Sequence, residues 1–237
     1  MKQNQLLIVV ICVLLFTNFN AQTLSKNNSF DFSIGYNVGA LKNLEIAPVS
    51  RYDYNSAIYK FKYQRITKKE KIFEVQLDYL QSKLENNVNA LLDFEYTKIG
   101  ISVASLKKIY NKNRLLIHVG LESYSDLSLY DINPNNQFVF DQTLGLSSRF
   151  SYQINQKQHL FSKLTLPTLL LRITNSNANV YSLNRFQSIL WKIGYSYSFS
   201  EQLSGQLSYD FNYDRLQISN AFRELQYQVN FGINYKF

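Results

Sequence analysis

The chain has 237 residues, with 25 Lys and Arg against 17 Asp and Glu, a formal net charge of +8 and an aromatic share of 15%. Cys12 is the one cysteine, and His118 and His159 are the two histidines, which leaves no disulfide framework and no zinc site of the usual kinds. Beyond the first segment there is no long apolar run, so a bundle of membrane-spanning helices is excluded as well.

The first segment reads as an export signal. Lys2 is the only charge before Lys26, and Leu6 to Phe16 is an unbroken apolar run, about half the ~20 residues that a spanning helix needs. Ala21, within Asn20-Ala21-Gln22, supplies a small residue for cleavage, so residues 1–21 are expected to form a signal peptide for the general secretion (Sec) route. Cys12 follows bulky Val9, Val10 and Ile11 and is not read as a lipoprotein acceptor. Residues 22–237 are then one domain.

From there the chain alternates. Apolar residues recur at every second position in Phe30–Val38, Ala57–Tyr63, Phe73–Tyr79, Ile99–Val103, Leu115–Leu121 and Leu144–Tyr152. Leu160–Ile173 keeps the composition but blurs the phase. Pro167, which cannot donate to a ladder, predicts a bulge that lets Leu164 and Leu166 share a face with Leu169 and Leu171. Ile189–Phe199 and Leu203–Tyr213 alternate again. In Leu225–Phe237 every odd position is apolar and every even one polar or Gly. Side chains of a strand point alternately to opposite faces, so each segment has one greasy and one polar side.

Short connections are expected near Ile66–Glu70, Lys108–Asn113, Ile154–Lys157 and Ser200–Gln202. Longer ones are expected near Lys42–Asp53, Lys83–Leu92, Ser125–Gln137, Thr174–Phe186 and Leu216–Arg223. Face parity is kept across the short turns; Phe199 opposite Leu203, for instance, aligns the two apolar faces. The expectation is an all-β, transmembrane, antiparallel up-and-down barrel of about ten strands, with eight or twelve as the neighbouring counts. Both chain ends then fall on the short-turn side.

Alternation alone fits a soluble barrel too. Three features point to a bilayer: the export signal, the Tyr and Phe near strand ends, and an opposite face of Gly, Ser, Asn and scattered charges. Only a closed sheet satisfies its backbone hydrogen bonds in lipid. The terminal Phe237, with Val229, Phe231, Ile233 and Tyr235 at alternate positions before it, resembles the C-terminal insertion signal of bacterial outer-membrane β-barrel proteins. That resemblance implies a bacterial outer-membrane location, recognition by the barrel-assembly machinery during biogenesis, and outer-membrane lipid as the surrounding partner. No functional family is matched by these residues.

The charges separate into two groups. Lys68, Lys69, Lys71, Lys107, Lys108, Lys112, Arg114 and Lys157 lie at the short turns against Glu70 and Glu201. That places the positive excess where anionic headgroups lie and gives no nucleic-acid partner. By phase, Lys60, Lys62, Lys98, Arg149, Lys163 and Lys192 face inward with Asp31, Glu74, Asp78, Glu122, Asp141, Asp210, Asp214 and Glu224. A selective pore would show one dominant sign, and a barrel this narrow is close to filled by its side chains. The expected lumen network pairs Lys60, Lys62, Lys98, Arg149 and Lys192 with Glu74, Asp78, Glu122, Asp141 and Asp210.

The fold expectation is similar to that of the omptin proteases and of barrel lipid hydrolases, whose activity implies His with Asp or Ser near the outer rim. His118 and His159 both begin strands on the short-turn side and match neither arrangement. His118 and Glu122 share a face but stand ~13 Å apart, too far for a relay. The functional expectation is a non-enzymatic, porin-like barrel without cofactor or metal: a narrow or closed channel, a structural protein, or a scaffold for a protein partner at its external loops. The alternative is an outer-membrane-embedded hydrolase with an unrecognised active site.

Overall fold

The computed structural model describes residues 28–46, 51–86, 88, 90–132, 135–218 and 221–237. The expected signal peptide lies outside them. Eleven strands form: β1 (Asn28–Asn43), β2 (Tyr52–Ile66), β3 (Ile72–Leu84), β4 (Phe94–Lys112), β5 (Leu115–Ile132), β6 (Asn135–Gln153), β7 (Gln158–Thr174), β8 (Ala178–Ser182), β9 (Phe186–Ser198), β10 (Leu203–Leu216) and β11 (Phe222–Lys236). Each pairs antiparallel with its neighbour. β11 returns to β1 through a ladder from Ser29 opposite Lys236 to Asn43 opposite Phe222. Ten strands thus close a barrel, and short β8 continues the line of β9 along the upper part of β7.

Alternation explains why these segments are strands and which way they face. On β11 the outward residues Val229, Phe231, Ile233 and Tyr235 are all exposed, Phe231 at 58%, while Gln228 and Asn230 between them are buried at 2% and 1%. Lys60, Glu74, Asp210 and Arg172 are buried as well. A water-soluble barrel would have the reverse arrangement. A polar inside and an apolar outside are stable only where the outside meets hydrocarbon.

The phase break in β7 is a bulge, as Pro167 implies. Leu144 opposes Leu169 and Gly145 opposes Pro167, so Thr168 is the extra residue. Phe161, Thr165 and Pro167 point inward before it, and Leu170 and Arg172 after it. Leu166 and Leu169 are consequently both exposed on the outer face.

The connections divide into two ends. The terminal end carries the turns 67–71, 113–114, 154–157 and 199–202, together with Asn28 and Phe237. The tightest of these is Asn113-Arg114, with φ of 50° and 69° at its two central residues, the left-handed pair that a two-residue hairpin requires. The expected parity holds where Phe199 N donates to Leu203 O at 2.9 Å.

At the opposite, loop end the expectation needs two corrections. Ser125–Gln137 is not a long loop, because β5 runs to Ile132 and β6 starts at Asn135. Thr174–Phe186 contains β8. In both places the strands continue past the apolar belt, where their outer face no longer needs to be greasy and the alternation signal fades. The loop after β3 is tied by Asp93, which accepts from Asn86 N at 3.0 Å and pairs with Lys83 at 3.1 Å. That backbone donor, with Lys83 beside it, holds the Asp93 carboxyl below its usual range.

The same boundary is visible inside. Leu41, Tyr52, Leu84, Tyr96, Tyr130, Val139, Leu170, Phe186, Leu216 and Phe222 all point inward and form one apolar cluster at the loop end. The lumen was expected to be polar throughout; instead its polarity inverts here. Outward positions at this level become Lys42, Lys83, Glu95, Asp131, Arg215 and Arg223. Beyond the belt the barrel is built like a soluble one, with an apolar core and a charged surface.

This arrangement predicts the cost of a charge on the belt. Phe231→Lys should destabilise the refolded barrel in lipid vesicles by about 2–4 kcal/mol, the range for a cation near mid-bilayer. The urea midpoint of unfolding, followed by tryptophan fluorescence, measures it. An unchanged midpoint would contradict the outward, membrane-facing assignment of β11.

Candidate functional site: the ion-paired lumen

The inward side chains form three clusters along the barrel axis. Nearest the terminal end, Glu74 of β3 binds Arg149 of β6 and, at 3.0 Å, Lys163 of β7. Lys163 also reaches Glu122 of β5 at 3.0 Å, and Glu122 accepts from Thr165 at 2.5 Å. Arg149 donates to Gln64 at 2.8 Å. Beside them Lys62 lies 3.9 Å from Asp31.

At mid-height Lys60 of β2 donates to Asp210 of β10 at 2.5 Å and to Gln228 at 2.6 Å, with Lys192 at 3.8 Å from the same Asp210 carboxylate. Asp78 accepts from Gln76 at 2.9 Å. A cavity of about 110 Å³ remains here, bordered by Lys60, Asp78, Lys98, Tyr124, Lys192 and Asp210. It has room for several waters.

Towards the loop end Lys98 donates to Glu224 at 2.7 Å and lies 3.9 Å from Asp126. Tyr54 and Gln226 also donate to Glu224, at 2.6 and 2.8 Å. Above them Arg172, 2% exposed, donates to Asp141 at 2.6 Å and to Glu45 at 3.0 Å, and its guanidinium lies 4.4 Å over the Phe222 ring. The apolar cluster lies above them. Aromatic rings fill lumen space where a neighbouring strand has glycine: Tyr124 lies against Gly100, and Phe161 against Gly194, with no room for a Cβ in either place.

All ten residues expected in the lumen network face inward. Among them the structure joins Arg149 with Glu74, and Lys60 and Lys192 with Asp210. The remaining expected members have other partners. Glu122 is held by Lys163, Asp141 by Arg172, Lys98 by Glu224 and Asp126, and Lys62 by Asp31, while Asp78 accepts from Gln76 and lies in no ion pair among the described residues. Arg172 was missed because the blurred phase of β7 hid its direction; counting past a bulge at Thr168 would have turned it inward. Asp126 was missed because it fell in a segment read as loop.

Both histidines lie towards the terminal end of the barrel, His118 on β5 and His159 on β7. His118 is buried near the terminal end, with Nε2 3.2 Å from the Glu70 carbonyl. Glu122 is engaged by Lys163 and Thr165 instead of His118. Among the described residues no cluster of three or more His, Cys, Asp or Glu could hold a metal.

The expected insertion-signal residues line the outer face of the closing strand. Phe237 N donates to Asn28 O at 2.9 Å, and its ring stacks on Phe30 with centroids 5.1 Å apart. Phe237 thus fastens the seam between β1 and β11.

A closed antiparallel barrel with an apolar belt and a charged, side-chain-filled interior defines the class: the fold is that of bacterial outer-membrane β-barrels. The outer membrane protease OmpT from Escherichia coli matches with a TM-score of 0.58 at 10% identity, covering 91% of this chain and 99% of that one. The COG4313 outer membrane channel from Pseudomonas putida F1 matches with a TM-score of 0.50 at 8% identity, covering 92% and 98%. At such identities the likeness is one of fold. No protein-family model and no curated protein sequence matches the chain.

The lumen pairs predict strong coupling. Lys60→Met should destabilise the barrel by about 3–5 kcal/mol, because it leaves buried Asp210 with only Lys192 at 3.8 Å. Lys60→Met combined with Asp210→Asn should be less unstable than the sum of the single changes, with a coupling of about 0.5–3 kcal/mol. Strict additivity in urea denaturation would show that the pair is not a unit.

Proposed function

We propose that this chain is a non-enzymatic barrel of the bacterial outer membrane with an occluded lumen, which acts through its outer rim and its surrounding lipid. The observation that carries the reading is the filled interior: three ion-paired clusters, topped by the apolar cluster around Leu84, Tyr96 and Phe222. An ion crossing it would have to break buried pairs and then shed its water among apolar side chains, both costly steps. In this reading the terminal end faces the periplasm, where the barrel-assembly machinery would recognise the strand ending at Phe237, and the loop end faces outside. A protein partner would meet the loops at that end.

A hydrolase is the competing reading, since OmpT, a protease, shares the fold. Against it, both histidines lie at the terminal end, away from the rim where the loops gather, and Glu122 is already committed to Lys163 and Thr165. An acid–base hydrolase on this chain would need His118 or His159. Loss of a hydrolytic activity on changing either to Ala would establish that reading and end the non-enzymatic one.

Two measurements test the proposal directly. Refolded protein in a planar bilayer should give no unitary conductance steps, and a large steady conductance would make a channel the better reading. Deleting Phe237, or changing Tyr235 and Phe237 to Ser, should leave export intact but strongly reduce the heat-modifiable barrel recovered from outer membranes. Undiminished barrel yield would remove the terminal strand from the assembly step.

A further inference from the structure

The cations at the loop end are not arranged like the rest of the rim. Lys42 on β1 stands directly opposite Arg223 on β11, and Arg223 directly opposite Arg215 on β10. All three take outward positions, so three like charges lie side by side across two ladders. Opposed like charges on neighbouring strands are about 5 Å apart at Cβ and repel one another. Arg185, in the turn before β9, lies next to them, its carbonyl accepting from Gln217 N at 2.8 Å.

These four cations line one open recess of about 850 Å³, which reaches over the rim to Asn179 and Tyr181 of β8 and to the inward Leu216 and Phe222. Glu45 is the one acid among the lining residues, and it is spent: its carboxylate lies 3.0 Å from Arg172, which turns it towards the barrel interior. Among the described residues, Lys42, Arg185, Arg215 and Arg223 have no carboxylate within ion-pair distance. The adjoining segments 47–50 and 219–220 contain no acidic residue. Elsewhere the rim neutralises itself, Arg51 pairing with Asp53 at 2.8 Å and Lys83 with Asp93 at 3.1 Å.

The height of the row identifies what could neutralise it. Two residues nearer the membrane, the same outward ladders carry Ala40, Leu225 and Tyr213, the last apolar positions of the belt. The row therefore stands at the step from hydrocarbon to headgroups, on the outside of the wall. Arg and Lys in that position suit phosphate, the guanidinium by paired donors and the ammonium as a point charge. We propose that Lys42, Arg185, Arg215 and Arg223 form a binding site for the phosphorylated sugar headgroup of an outer-leaflet glycolipid. The inference rests on the membrane orientation proposed above. A freely diffusing phosphate would have no reason to require the outward face at this depth, so the lipid is the occupant to which the geometry commits.

The probe is bisphosphorylated lipid A, incorporated into phosphatidylcholine vesicles that carry the refolded full chain, with dephosphorylated lipid A as the comparison. The wild-type protein should bind the phosphorylated form at least ten-fold more tightly, read by quenching of tryptophan fluorescence with a brominated lipid displaced by the glycolipid. Arg215→Gln with Arg223→Gln should abolish that preference. In phosphatidylcholine alone the same double variant should be as stable as wild type or more so, because it removes a repulsion. Lys83→Gln, at the self-neutralised part of the rim, should keep the preference. Equal binding of the two lipid A forms, or an undiminished preference in the double variant, would overturn the proposal. Displacement by inorganic phosphate at the same phosphate concentration would replace the lipid with a free anion. Failure of the wild-type chain to insert into vesicles at all would instead overturn the membrane reading beneath it.

Discussion

Everything in this molecule depends on closing the sheet. In hydrocarbon an unpaired backbone amide or carbonyl has no water to turn to, and each would cost several kcal/mol. The seam between β1 and β11 is therefore the critical joint, because it converts two edges into one continuous ladder of fifteen opposed positions. It also joins the first and last of the described strands, so it forms only once the strands between them are in place. Phe237 reinforces that joint twice, through the backbone of Asn28 and the ring of Phe30. A terminal aromatic there has a mechanical reason as well as any role in recognition.

Closure fixes what the interior must contain. With ten strands the wall encloses a space comparable to the side chains that point into it, and alternation makes those side chains polar wherever the outside is apolar. Charges so confined are tolerable only with partners at hydrogen-bond distance. Most lumen charges accordingly serve two partners. Lys163 bridges Glu74 and Glu122, Arg172 bridges Asp141 and Glu45, and Asp210 lies between Lys60 and Lys192. Bridging of this kind links strands far apart in the sequence, for example Lys98 of β4 with Glu224 of β11. The interior thus holds the wall in register as well as filling it.

Much of this was legible in the sequence, for a physical reason. A bilayer imposes alternation on the strands that cross it; Leu225–Phe237 shows it without exception, and Ile189–Phe199 breaks it only at inward Leu190. The barrel, its ten strands, the short turns and the bulge at Pro167 all follow from parity. What could not be read lies where the bilayer stops imposing the rule. Leu127 and Leu129 stay outward on β5, yet Tyr124 and Tyr130 turn inward, so the pattern no longer sorts apolar from polar and the segment resembles a loop. Partner choice was equally hidden. Which acid meets Lys98 depends on the stagger between strands around the whole barrel, and no local pattern encodes that stagger. Arg172 combines both difficulties, lying beyond a bulge and pairing with Asp141 and Glu45.

The inversion at the loop end is what gives the barrel a definite height in the membrane. On β11 the outward sequence passes from Leu225 to Arg223 while the inward one passes from Glu224 to Phe222. Both faces therefore change character within about one pleat, and sliding the barrel outward or inward by a residue pair would either expose Leu225 to water or drag Arg223 into hydrocarbon. The second move is the more expensive, because a cation in the apolar region costs up to about 2–4 kcal/mol. The row Lys42, Arg223 and Arg215 repeats that penalty on three adjacent strands, so it acts as a stop against sinking. Self-repulsion keeps the row unfavourable until an external anion lies across it. A stop that is also an incomplete anion site ties the position of the barrel to the charge of the leaflet around it, and it does so on one arc of the wall only, since Arg51 and Lys83 elsewhere carry their own counter-ions.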